Sequence, residues 1–310
     1  MSENQIFSDT FFAMGTRCDV VFTNVESEFA EQMFHLVKNE IVHLEQIISR
    51  FISDSPVSEL NRAGKNKWLS VPEKLWGVIS LSFDFFQMSN GAFDVTAGPI
   101  ISLWKKKDGN TAIISKKEIK DALGKSGFHK IDMDFEKQKI RFTAEGMEFD
   151  FGAIGKGIAL DTIRPILEKN GVKNGIISFG ESSILALGKH PNGKNWPLGI
   201  RNTFHPNKCV HVFSSSNECV TSSGTVVNDD KGRVKWRNHI VSPVYGHPVE
   251  GNKTVSVKSQ SASLGEFIST TWLILPEKDK NILAGQLENI EILEVGYVEE
   301  NDFKTRITIR

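Results

Sequence analysis

Residues 147–161 read MEFDFGAIGKGIALD, and the rest of the chain is organised around them. Met147 to Phe151 read as a short strand, the glycines Gly152, Gly155 and Gly157 follow, and Ile158, Leu160, Ile163 and Leu167 then recur with a helical period. A strand that enters a helix through three glycines brings backbone N–H groups and the positive end of a helix dipole to one point. Lys156 adds a cation there and Asp150 a carboxylate, which makes the turn a candidate seat for a phosphate or pyrophosphate. A tight β-to-α turn whose glycines serve packing explains the same residues. The G-x-x-G-x-G spacing matches neither the dinucleotide fingerprint nor the P-loop.

Before this stretch the pattern is mostly helical. Arg17 to Thr23 alternates as a strand, and Asn24 is a candidate N-cap for a long amphipathic helix from Val25 to Phe51 with apolar positions at Phe29, Met33, Val37, Ile41, Leu44 and Ile48. Ser58 to Asn61 makes one short turn, Pro72 opens a helix that Asn90-Gly91 stops, and Gly98-Pro99 precedes another short helix. Ser115 to Lys125 fits an N-capped surface helix, and Lys130 to Thr143 a hairpin. Beyond it the chain turns to strands: Gly175 to Phe179, Ile184 to Leu187, Trp196 to Arg201, Cys209 to Ser214, Cys219 to Ser222 and Thr254 to Val257. A helix from Ser261, one near Pro276 to Leu287 and two closing strands complete it. Helices gather early and strands late around one strand–glycine–helix unit, which predicts an α+β protein rather than a doubly wound one.

Composition limits the function classes. The 310 residues carry a net charge of -1, so no basic field draws the chain to nucleic acid or anionic lipid. Cys18, Cys209 and Cys219 are too scattered for a disulfide framework or a zinc site and read as buried thiols. No apolar run reaches the roughly 18 residues of a membrane span, and residues 1–16 lack the features of a signal peptide. As it stands the sequence reads as cytoplasmic; removal of an export signal would make it periplasmic or membrane-tethered.

Several residues invite two readings. Asp94, between apolar neighbours in GAFDVTAGP, is first a cap or turn ligand. Ser222-Ser223-Gly224 reads as a small polar loop. His239, before a short strand, is first a hydrogen-bonded structural residue. Glu266 and Thr270 lie four apart and share one helix face, offering two hard oxygens to Mg2+ or Ca2+. Spacing alone favours the plainer pair, a surface glutamate and a threonine bonded back to its helix.

Taken in order, the motifs resemble one family. They are MGT at Met14, S-x-[aromatic] ending at Phe51 with S-x-x-N after it, GAFD-x-T-x-GP from Gly91, DxG-x-I-x-KG from Asp150, S-x-G at Ser178, H-I-x-x-P-x-x-G-x-P from His239, and Glu266 before Ser269-Thr270-Thr271. This series resembles the ApbE family of FAD:protein FMN transferases and covers Met14 to about Trp272. The resemblance implies one ApbE-like domain over residues 1–310, or two interleaved lobes. It implies FAD as substrate, Mg2+ as cofactor, and an acceptor protein whose threonine takes FMN as a phosphoester while AMP leaves. It would place the metal on the Gly155 carbonyl, Glu266 and Thr270. FAD would meet Met14, Phe51, Ala92, Phe93, Asp94, Gly152, Ile158 and Ile240, with Lys156 on a phosphate and His239 as the base. An FAD pyrophosphatase and a non-catalytic FAD-binding protein are the alternatives. The chain departs from the family in having Glu266 where Asp is usual, Gly180-Glu181-Ser182 for G-G-[D/N], Phe51 without a tyrosine hydroxyl, and no lipobox cysteine.

Overall fold

The long period-3.6 pattern folds as helix α1 (Ser27–Ile48), burying Met33, Val37, Ile41, Leu44 and Ile48 along one stripe. The computed structural model describes residues 5–105, 114–205, 207–228, 234–236, 239–299 and 302–310. Before α1 comes a hairpin, β1 (Ile6–Ala13) and β2 (Thr16–Thr23). Asn24 does not cap α1: it turns the chain with a φ of 59°, and Glu26 holds the N-cap place. Next are α2 (Pro56–Arg62), capped by the Ser55 hydroxyl, then β3 (Leu69–Ser70), α3 (Glu73–Met88) behind Pro72, and α4 (Gly98–Lys105). Helix α5 (Lys116–Gly124) carries a Ser115/Glu118 capping box, and β4 (Ile131–Asp134) pairs with β5 (Lys139–Phe142) as the sequence predicts.

Residues 147–151 are not a strand. They run extended, but their ladder is a single parallel bridge from Glu148 to Ala97, and Asp150 N–H bonds the Val95 carbonyl. Helix α6 (Gly155–Lys169) follows. The remaining elements are β6 (Gly175–Phe179), β7 (Ser183–Leu187), β8 (Trp196–Arg201), β9 (Cys209–Ser215), β10 (Glu218–Gly224), β11 (Val226–Asn228), β12 (Val234–Trp236), β13 (Lys253–Ser259), α7 (Ala262–Ile274), α8 (Glu277–Ala284), β14 (Glu291–Glu299) and β15 (Asp302–Ile309). Ser222-Ser223-Gly224 thus belongs to a strand and not to a loop, paired against Val255 and its neighbours.

One eight-stranded sheet, in the order β1-β2-β6-β7-β10-β13-β14-β15, carries the molecule. Its neighbours pair antiparallel throughout. Helices α1, α6 and α7 share one apolar core with the inner face, through Val20, Phe22, Ile177, Leu185, Val255 and Val257. The β8–β9 hairpin covers the other face, where Trp196, Leu198 and Phe213 meet Val220, Leu293 and Val295. An α+β fold is the result, as the order of patterns implied. Cys18 and Cys219 are buried, and burial pushes the Cys18 thiol up to about 12, which removes it as a nucleophile. Cys209 is exposed, against expectation, because it lies on the outer hairpin. No helix among the described residues is long and apolar enough to cross a membrane.

Candidate active site

The site is made where the N-terminal ends of α6 and α7 meet. A Cβ on Gly157 would stand 2.7 Å from the Ala262 carbonyl oxygen and the Ser263 nitrogen, so only glycine permits this approach. Gly157 therefore does serve packing. One turn further along α6, Asp161 accepts from the Ala262 and Ser263 N–H groups and from the Ser261 and Ser263 hydroxyls, at 2.6–2.9 Å. A charged acceptor on the first N–H groups of a helix satisfies donors that have no partner within it. Asp161 thus fixes α7 relative to α6.

Glu266 lies on the second turn of α7 and is 4% exposed. It is not the surface glutamate that spacing favoured. Its Oε2 accepts the Gly157 N–H at 2.7 Å and its Oε1 the Ser183 hydroxyl at 2.6 Å, with Lys156 Nζ 3.2 Å from Oε1. A buried carboxylate needs such partners, since its desolvation is otherwise very costly. One turn on, Thr270 Oγ1 is 3.0 Å from Ser223 Oγ, which also bonds Ser269 Oγ at 2.8 Å. Lys156, Ser183, Ser223, Glu266 and Thr270 accordingly form one polar cluster at the end of the sheet.

The glycine turn itself is not an open cradle of donors. The Gly152 N–H is bonded to Asp150 Oδ1, that of Gly155 to the Phe151 carbonyl, and that of Gly157 to Glu266. Of the groups that the sequence offered for a phosphate, these three N–H groups are taken, and the Lys156 ammonium lies against Glu266. Asp150 is held in turn by Arg50, whose Nε lies 3.1 Å from Oδ2 and whose other nitrogens bond Glu148 and Ser102 at 3.0 Å. Phe51 follows Arg50 and is 77% exposed, with the Arg50 guanidinium and the Lys105 ammonium over its ring.

Asp94 stands behind this rim. Its Oδ1 accepts from the N–H and hydroxyl of Thr96, and Oδ2 from the Phe128 N–H. Burial holds its carboxyl above the usual carboxylate range, against the pull of those hydrogen bonds. It ties the 94–97 turn to the 127–128 loop, a turn ligand as its residue type suggested. Ala92 and Phe93 are buried, with Phe93 edge-on to Phe267 of α7 at 5.3 Å. Met14 takes a φ of 52° at the β1–β2 tip, and Glu45 accepts its N–H at 2.7 Å. Thr16 of the same tip abuts Gly180, and the next turn reaches β10 through the Ser222 N–H and the Ser182 carbonyl.

His239 is half-buried and Ile240 buried. Their loop is fixed by the Val249 N–H on the Ile240 carbonyl and by Trp104 Nε1 on the Gly246 carbonyl. The Ile158 side chain lies away from the cluster, in a groove of 250 Å3 with Leu44, Val78 and Leu81. Ser183 and Asp161 carry no local signal in the sequence, because their partners are 83 to 102 positions away.

A carboxylate and a hydroxyl one helical turn apart are oxygen donors of the kind that a hard divalent cation takes. Among the described residues no group of three or more His, Cys, Asp or Glu could hold a metal alone.

Residues 14–293 match the profile described as the ApbE family. A protein named FAD:protein FMN transferase from Buchnera aphidicola subsp. Schizaphis graminum is 26% identical over 95% of this chain and 87% of its own. Another of that name, from Klebsiella pneumoniae, is 23% identical over 97% and 92%. The fold is similar to that of the flavin transferase ApbE of Vibrio cholerae, with a TM-score of 0.83, 18% identity and coverage of 98% and 97%. The flavinyl transferase ApbE of Pseudomonas stutzeri, in apo form, also gives 0.83, at 22% identity over 98% and 95%.

Proposed function

The chain belongs to the ApbE family, and from that premise we propose that it transfers the FMN half of FAD to a threonine hydroxyl of an acceptor protein, with Mg2+ as cofactor. It is a transferase of flavin, with FAD as substrate and a protein as acceptor. The threonine oxygen forms a bond to the FMN phosphorus, the bond from that phosphorus to the bridging oxygen breaks, and AMP leaves with the bridging oxygen. Attack by an alcohol on a pyrophosphate needs three things: neutral charge around the phosphorus, a base for the hydroxyl proton, and a fixed approach.

Lys156 supplies a positive charge at the start of α6, next to the glycine turn. His239 takes the hydroxyl proton, as a neutral imidazole can near pH 7. Phe51 offers an exposed ring face to the isoalloxazine. The Met14 turn, Ala92 to Asp94, Gly152 and Ile240 form the walls of the FAD site, mostly through backbone, and Ile158, which faces the other way, does not. The Gly155 carbonyl, Glu266 and Thr270 hold Mg2+, which when bound neutralises charge on the phosphates. The observation that carries this reading is the buried carboxylate of Glu266, placed one helical turn from Thr270 and against Lys156.

Mass spectrometry of an acceptor protein, incubated with this protein, FAD and Mg2+, tests the proposal. The expected result is a gain of one FMN on a threonine, AMP in solution, and neither product in EDTA. AMP and free FMN with an unlabelled acceptor would mean hydrolysis of FAD. FAD binding with no AMP would mean a non-catalytic flavin binder.

A further inference from the structure

The partners of Glu266 differ in how easily they leave. The Gly157 N–H is fixed in the first turn of α6, and Ser183 begins strand β7. Lys156 is a four-carbon stem, 23% exposed, that reaches the carboxylate from the solvent side. Oε1 already faces a hydroxyl and an ammonium, and a carboxylate oxygen has room for about two such partners. A divalent cation arriving at Oε1 therefore meets a like charge on its own coordination position.

We propose that Lys156 is the built-in counter-ion of Glu266, and that Lys156 and a divalent cation hold this carboxylate in turn rather than together. The inference rests on Glu266 being the metal ligand, as argued above. It follows that metal entry turns the Lys156 ammonium out of the cluster. The residue stays in the first turn of α6, so the freed charge remains at the positive end of that helix, where an anionic pyrophosphate gains from both. Metal entry and polyphosphate binding then strengthen each other, and the linkage is reciprocal. In the absence of metal the same ammonium keeps a buried carboxylate paired, which an empty site otherwise could not do cheaply.

Two measurements on the full chain without FAD test this. The first is Mn2+ binding, read by the loss of the free-ion electron paramagnetic resonance signal. Lys156→Met keeps the stem and removes the charge, and should bind Mn2+ about ten-fold more tightly than the unaltered protein. Circular dichroism checks that it folds. The second is peptide-resolved acetylation of Lys156 in the unaltered protein, which should rise several-fold on adding Mg2+ and be high and metal-independent in Glu266→Gln. Unchanged Mn2+ affinity in Lys156→Met, including no binding by either protein, overturns the exchange, and so does acetylation that ignores the metal. The two failures are separable. If the unaltered protein binds Mn2+ and Glu266→Gln binds it as well, the ligand assignment itself falls and this proposal with it. If only Glu266→Gln loses Mn2+, the ligand stands and the exchange alone is lost.

Discussion

Asp94 and Glu266 are two buried carboxylates, 9% and 4% exposed, and they are built to different ends. Asp94 is held by neutral donors of its own turn and the adjacent loop: two backbone N–H groups and the Thr96 hydroxyl, which itself accepts the Gly127 N–H. Glu266 is held by one fixed N–H, one hydroxyl and one flexible ammonium. The first is a clasp, since its donors are set in the turn and the loop that it joins. The second has a carboxylate whose partners include a group able to move, with Thr270 one turn away. Burial and charge alone do not separate the two residues; the mobility of their partners does.

The contrast breaks most readily at Glu266. Glu266→Gln should lower Mg2+-dependent flavin transfer by about a thousand-fold, while FAD binding, followed by fluorescence quenching, survives in part. Full activity in that variant would remove Glu266 from the site. His239→Ala should slow transfer by about a hundred-fold with a smaller loss of FAD affinity, and equal losses in both would return His239 to a structural role. Asp94→Ala should cost about 3 kcal/mol of stability through its orphaned donors, seen as a lower urea midpoint. If Asp94→Ala were neutral and Glu266→Gln unfolded the chain, the two roles would be reversed.

The smallest effect is a pH dependence. Burial raises the Asp94 carboxyl above 3.8, so the folded chain binds this proton more tightly than the unfolded one. The contribution of Asp94 to stability should then fall as pH rises from that value toward its folded pKa, and level off above. Urea titrations of the protein and of Asp94→Asn between about pH 4 and 7 should show the difference between them shrink in that direction. A difference that grows with pH would contradict the burial of this charge.

How far the sequence reveals these sites depends on where each partner lies along the chain. Helices α1 and α3 are legible because their apolar periods are local, and so is the Ser115 cap. Strand β1 is not, since as an edge strand it buries only Phe11 and Ala13 and shows little alternation. Lys156, Glu266 and Thr270 are marked in the sequence by the order of motifs that they belong to, yet the ion pair between the first two joins residues far apart along the chain. The glycine turn misleads for the same reason. The sequence displays its donors, while one acceptor that consumes them, Glu266, comes 109 residues later.

That separation bears on synthesis as well as on chemistry. A growing chain carries Gly157 and Lys156 for 109 further residues before Glu266 exists. At roughly 5–20 residues per second, the first half of the site waits about 5–20 s for its carboxylate. During that interval α6 has neither its partner helix nor the Asp161 contacts that align it. A nascent or prematurely ended chain can thus hold the lysine without the carboxylate.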